Sequence, residues 1–197
     1  MTRQVVRMDH QVILDWVEKS SSLLDLGCGN GELLSLLNRV KQVHVQGVEM
    51  SQEAIQACVV DGLSVVQQDI DTGLSEYADK SFDYVVLNQT FQQVKKPDFV
   101  LKEALRVGNR VIVGFPNFCY ITDRFQIFFR GRVPVTPSLP YEWYDTPNLH
   151  FLSIADFNDY CSRRGIKIEK SAFLAKSGRR RFLSNLLAEI GLYLLSK

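Results

Sequence analysis

"LLDLGCGNGELLSLL", residues 23–37, runs an apolar strand into a helix through three alternating glycines, Gly27, Gly29 and Gly31. Glycines permit a tight turn and close approach of a ligand, and the free amides at the following helix start offer donors. Such a strand-to-helix turn is a place to receive a small molecule, so the residues around it decide the ligand and, with it, the fold.

Outward from this turn, apolar strand-like runs alternate with helix-like segments, the pattern of a mostly parallel, doubly wound α/β sheet. "SSLLDLG" reads as the first strand and "GELLSLLNRV" as its helix. "VHVQGVEM", "LSVVQQDI", "FDYVVLNQT" and "RVIVGFPN" read as the second to fifth strands. "SQEAIQACVVDG" and "KPDFVLKEALRVG" are the intervening helices. Later, "SIADFNDYCSRRG" has helical spacing and precedes a sixth strand, "IKIEKSAFLA". The closing "LLAEIGLYLLSK" suits a strand or a helix by periodicity alone, and a seventh strand is favoured because it follows the sixth across a basic turn, "KSGRRR".

The dinucleotide fingerprint is GxGxxG, whereas this loop is spaced GxGxG and has Glu32 where the last fingerprint glycine would stand. A carboxylate in the first helical turn, with Asp25 just before the loop, repels a pyrophosphate. The Walker spacing is absent. The pattern fits a cationic nucleoside without phosphate, S-adenosylmethionine, with S-adenosylhomocysteine as its product. Glu49 closes the second strand 24 residues after Asp25, where an acid can accept both ribose hydroxyls. Met50 follows it. Asp69, at the end of the third strand, is placed for an adenine amino group, and Ile70 to cover the ring. Asn88 and Gln89, after the fourth strand, line the same pocket.

One connection breaks the rhythm. Residues 114–150 hold five of the six prolines and a crowd of aromatics, so the expectation is a single domain over residues 1–197 with an insertion at 114–150. A connection this long is more often functional than idle. "TDRFQIFFRGR" can form a short amphipathic helix, and the rest reads as loop. His150 ends the connection and is the candidate base among the three histidines. Arg130, Tyr141, Trp143, Tyr144 and Asp145 are read as an acceptor pocket, a lid or a protein-docking surface, since aromatics and arginine dominate binding hot spots.

Composition narrows the classes. A hydrophobic fraction of 46% in 197 residues suffices for a sizeable core, and a net charge of +1 gives no reason to expect nucleic acid or an anionic membrane. No apolar run reaches the roughly 18 residues that a membrane helix needs. The four cysteines are scattered without a CxxC pair, so no metal site is expected and a reducing cytoplasm is the default compartment.

Over nearly its whole length the chain resembles the MetW family of methionine biosynthesis proteins, within the class I S-adenosylmethionine-dependent methyltransferases. "LLDLGCGNGELL" is shared by the superfamily; "RGRVPVT" and "LPYEWYDTPNLHFLSIADF" are more particular. The resemblance implies a Rossmann-like, seven-stranded sheet with a reversed last strand. It also implies a cytoplasmic role beside homoserine O-acyltransferase. It supplies no methyl acceptor: "NQTF" keeps Asn88 and Phe91 of the amino-methylating Asn/Asp-Pro-Pro-Tyr/Phe motif but replaces both prolines. An accessory subunit that only binds the cofactor is the alternative to a methyltransferase.

Overall fold

Residues that alternate between two apolar faces set the architecture. In the computed structural model, which describes residues 6–197, Leu23, Tyr84, Val86 and Ile112 pack on one side of a sheet. Leu24, Val85, Leu87, Val111 and Val113 pack on the other. The two-residue side-chain period of a strand buried on both faces requires this division. The strands are β1 Ser22–Leu26, β2 His44–Glu49, β3 Val65–Gln67, β4 Phe82–Asn88, β5 Gly108–Pro116, β6 Lys167–Ala175, β7 Gly178–Arg180 and β8 Ile190–Ser196. Their order is β3-β2-β1-β4-β5-β8-β6-β7. β1 to β5 run parallel, and β8 is antiparallel to both β5 and β6. The reversed closing strand is therefore present.

Among the described residues the sheet has eight strands rather than seven. Part of the supposed basic turn pairs back on its predecessor, Gly178–Arg180 against Phe173–Ala175, and Gly178 at φ 108° accommodates the reversal. The third strand is shorter than expected. It lies at the sheet edge with Val66 and Gln67 exposed and one partner strand, so little beyond Gln67 holds it extended.

The helices are α1 Met8–Trp16, α2 Glu32–Lys41, α3 Gln52–Val60, α4 Pro97–Val107, α5 Ile121–Arg130, α6 Ile154–Arg164 and α7 Ser184–Leu187. Local signals start and stop several of them. Ser51 caps α3, Ser153 and Asp156 form a reciprocal capping box on α6, and Pro97 opens α4. Gly131 and Gly165 end α5 and α6 in the left-handed conformation. α1 and α2 bury Ile13, Leu34 and Leu37 on one face of the sheet, while α4 and α6 bury Leu101, Ala104 and Phe157 on the other. α5 behaves differently: Asp123 is its only buried residue. Among the described residues no helix is long and apolar enough to cross a membrane.

Candidate cofactor cleft

A cleft of about 470 Å³ opens at the carboxyl ends of β1, β2 and β4, where parallel sheets of this kind hold their ligands. The three glycines of the first turn serve it unequally. All have positive φ, 77°, 55° and 77° for Gly27, Gly29 and Gly31. A Cβ on Gly27 would lie 2.6 Å from the Thr90 side chain, and one on Gly31 would lie 2.9 Å from Cys58 Sγ. Those two glycines permit packing. A Cβ on Gly29 would meet nothing within 4 Å and would project into open space. Gly29 is the one that leaves room for a ligand.

Carboxylates surround this space. Among the described residues, Asp25, Glu32, Glu49, Asp69 and Asp71 line the cleft against a single arginine, Arg7. Asp25 is 4% exposed, and burial, with the neighbouring Glu49 charge, pushes its pKa up to about 7. Glu49 already holds the loop together. Its Oε2 accepts the Gly29 N–H at 2.9 Å, and its Oε1 accepts those of Met50 and Ser51 at 2.7 and 2.9 Å. Met50 itself is exposed on the rim. Asp69 lies two residues beyond β3, where its Oδ1 accepts the Asp71 N–H at 2.9 Å and starts a short 3-10 turn over Ile70–Thr72. Ile70 is half-buried in the cleft wall.

At the end of β4, Asn88 turns its amide nitrogen to Asp9 Oδ2 at 2.9 Å. Its carbonyl oxygen packs where a side chain on Gly114, its register partner on β5, would otherwise sit. Gln89 follows at φ 62°, and its Nε2 is buried without a partner among the described residues. A non-glycine residue held left-handed costs about 1–2 kcal/mol, and such residues concentrate at ligand sites.

Sequence reading overlooked the wall contributed by α1. Arg7 and His10 line the cleft, and Arg7 pairs with Asp9 at 2.6 Å. Burial opposes the charge on Asp9, but the bonds from Arg7 and Asn88 and the Arg7 charge hold its pKa below the usual carboxylate value. Burial lowers the His10 pKa, and the Asp9 charge offsets this in part. The apolar spacing Val12, Ile13 and Trp16, with Asp9 in the first turn, was a helix signal that could have been taken.

The remaining candidates stand away from the cleft. His150 does not line it. Its backbone N–H donates to Gln92 O at 3.0 Å, and its Nε2 is buried without a partner among the described residues. Gln92 in turn donates from Nε2 to Gln89 O at 2.9 Å, so His150 reaches the cleft wall through one intervening residue. Tyr141 and Trp143 line a separate cavity of about 60 Å³ with Phe118 and Phe151. Arg130 lines a surface hollow with Arg132 and Glu142, while Tyr144 and Asp145 are exposed.

The chain matches the family described as "Methionine biosynthesis protein MetW" over residues 7–195. A bifunctional methionine biosynthesis protein MetXA/MetW from Rhodopirellula baltica is 36% identical across 85% of this chain. The chain spans 28% of that relative's length. Among solved structures, a SAM-dependent methyltransferase from Archaeoglobus fulgidus superposes with a TM-score of 0.73 at 16% identity, covering 100% of this chain and 95% of its own. The cyclase SpnF superposes with a TM-score of 0.67 at 15% identity, covering 95% and 80%. These likenesses establish the fold and leave the chemistry to the site.

Proposed function

Since the chain belongs to the MetW family of methionine biosynthesis proteins, we propose that its cleft takes S-adenosylmethionine and that it serves methionine synthesis in the cytoplasm beside a homoserine O-acyltransferase. The observation that carries the cofactor reading is the open space beyond Gly29, rimmed by carboxylates. A phosphate-bearing dinucleotide would meet repulsion there, and a sulfonium and an ammonium would meet attraction.

Bound in this cleft, the cofactor supplies an electrophilic methyl group. The residues around it have separable tasks. Asp25 is costly to ionise alone, and a cation in the cleft restores its charge. Glu49 has about four acceptor positions; three are taken by backbone N–H groups, which leaves one for a ribose hydroxyl. Asp69 keeps its second oxygen for an adenine amino group, with Ile70 against the ring. Gln89 has a side-chain amide with no partner among the described residues, free to donate to an acceptor or to the cofactor. The single-chain MetXA/MetW relative supports the partnership, because it joins the two named parts in one polypeptide.

A second reading, turnover rather than binding alone, has its own support. His10 stands in the cleft wall, and the burial that lowers its pKa keeps it neutral and able to accept a proton from an acceptor. Calorimetry with S-adenosylhomocysteine and with NAD tests the cofactor; binding of NAD alone would remove both readings. Incubation with methyl-labelled cofactor, with and without the acyltransferase, tests turnover. Labelled product that falls at least a hundredfold with His10→Asn supports catalysis. An acyltransferase rate that responds to the cofactor without any labelled product supports an accessory subunit.

A further inference from the structure

The helix α5 and the loop after it invert the usual arrangement of a folded surface. In α5 the one acid, Asp123, is fully buried, while Phe125, Ile127, Phe128 and Phe129 face outward, Phe128 at 81% exposure. The rings support one another, Phe125–Phe129 with centroids 4.2 Å apart and Phe128–Phe129 4.8 Å. The loop continues the surface. Gln126 exchanges two hydrogen bonds with the Val135 backbone. Trp143 and Tyr144, each 71% exposed, meet edge to face at 5.7 Å. A cavity of about 60 Å³ opens beside Trp143, lined mostly by apolar side chains with Glu142, Thr146 and Asn148, and sized for part of a visiting one.

We propose that this aromatic face is where the homoserine O-acyltransferase docks, an inference that rests on the partnership proposed above and assigns it a place. Three observations favour that occupant. First, six aromatic side chains (Phe125, Phe128, Phe129, Trp143, Tyr144 and Phe151) stand more than half exposed. In separate clusters on α5 and on the loop, they offer on the order of 600 Å² of apolar surface, most of the roughly 800 Å² per partner of a stable interface. Second, Arg130 and Arg132 border the face and make no ion pair among the described residues. Glu142 and Asp145 stand exposed beside them, so the rim carries both signs, and its complement is an apolar patch whose carboxylates meet the two arginines. Third, the Rhodopirellula relative carries MetXA and MetW in one polypeptide. Where the parts are separate chains, an interface must supply the proximity that the fusion provides by tethering.

The test uses the full chain and the homoserine O-acyltransferase of the same organism, with affinity measured by calorimetry and complex mass by light scattering. Phe128→Ser and Trp143→Ala each weaken association at least tenfold, and Arg130→Glu weakens it and reduces its salt dependence. Val60→Ser, on the exposed side of α3, leaves association unchanged. S-adenosylhomocysteine affinity and the thermal midpoint stay within error in all four, which separates docking from misfolding. A complex that forms with wild-type affinity in both aromatic variants overturns this placement and leaves the partnership standing. No complex at all overturns both. Self-association abolished by Phe128→Ser, or binding to phosphatidylglycerol vesicles abolished by it, overturns the proposal in favour of a second copy or of a membrane surface.

Discussion

At the scale of single residues, the glycine turn divides its labour in a way that substitutions expose. Gly29→Val places methyls in the open cleft and in a left-handed backbone. S-adenosylhomocysteine affinity should fall at least tenfold by calorimetry while stability drops by only about 1–2 kcal/mol, the left-handed cost. Gly31→Val adds collisions with Leu63 and Cys58, so urea unfolding should show the larger stability loss there. Asp25 carries a pH signature. Its folded pKa of about 7 lies above its ordinary 3.8, so its contribution is fully present below about pH 4 and is lost as pH rises through 7. Wild type should therefore lose stability relative to Asp25→Asn between pH 4 and pH 7, by urea midpoints. Titration with the cationic cofactor at pH 6.5 should release protons into the buffer, and the variant should not. The loop and its acids were legible because they lie within one short stretch and at strand ends. The link from Asn88 to Asp9 was not, because the partners are 79 positions apart and only the docking of α1 unites them.

At the scale of elements, α6 and α5 respond in opposite ways to burial. α6 inserts Phe157 among Tyr193, Phe115 and Phe91, with ring centroids at 4.7, 4.9 and 5.7 Å. Phe157→Ala should cost about 3–5 kcal/mol in urea unfolding, the usual loss for a buried aromatic ring. α5 buries a carboxyl instead. Burial pushes Asp123 up to about 6, and the Thr136 and Thr122 hydroxyls pull it down only in part. Its Oδ2 has no partner among the described residues. The folded value is again raised, so wild type weakens as pH climbs from about 4 through 6. Asp123→Asn should gain stability over wild type across that interval, read as a widening gap between thermal midpoints. The helical spacing of α5 was readable in "TDRFQIFFRGR". Which side it would bury was not, because Asp123 faces inward to meet the Thr136 hydroxyl, which lies beyond the helix in a turn of its own. Short β7 escaped notice for a related reason: three residues of "GRR" have no strand preference of their own and extend only because β6 supplies a ladder.

Across the whole molecule, the alternation of strands and helices made the doubly wound sheet readable, and the reversed β8 lay in the closing apolar run. What no local pattern conveyed was the place of β8 in the order, between β5 and β6. That position governs timing. A ribosome delivers β6 and β7 before β8, yet neither can join the parallel half until residues 190–196 have cleared the exit tunnel and threaded between them. Chains truncated before Ile190 and released from the ribosome should leave β6 open to proteolysis, and chains that include residues 190–196 should resist. Protection of β6 in the shorter species would show that the hairpin finds another seat while it waits.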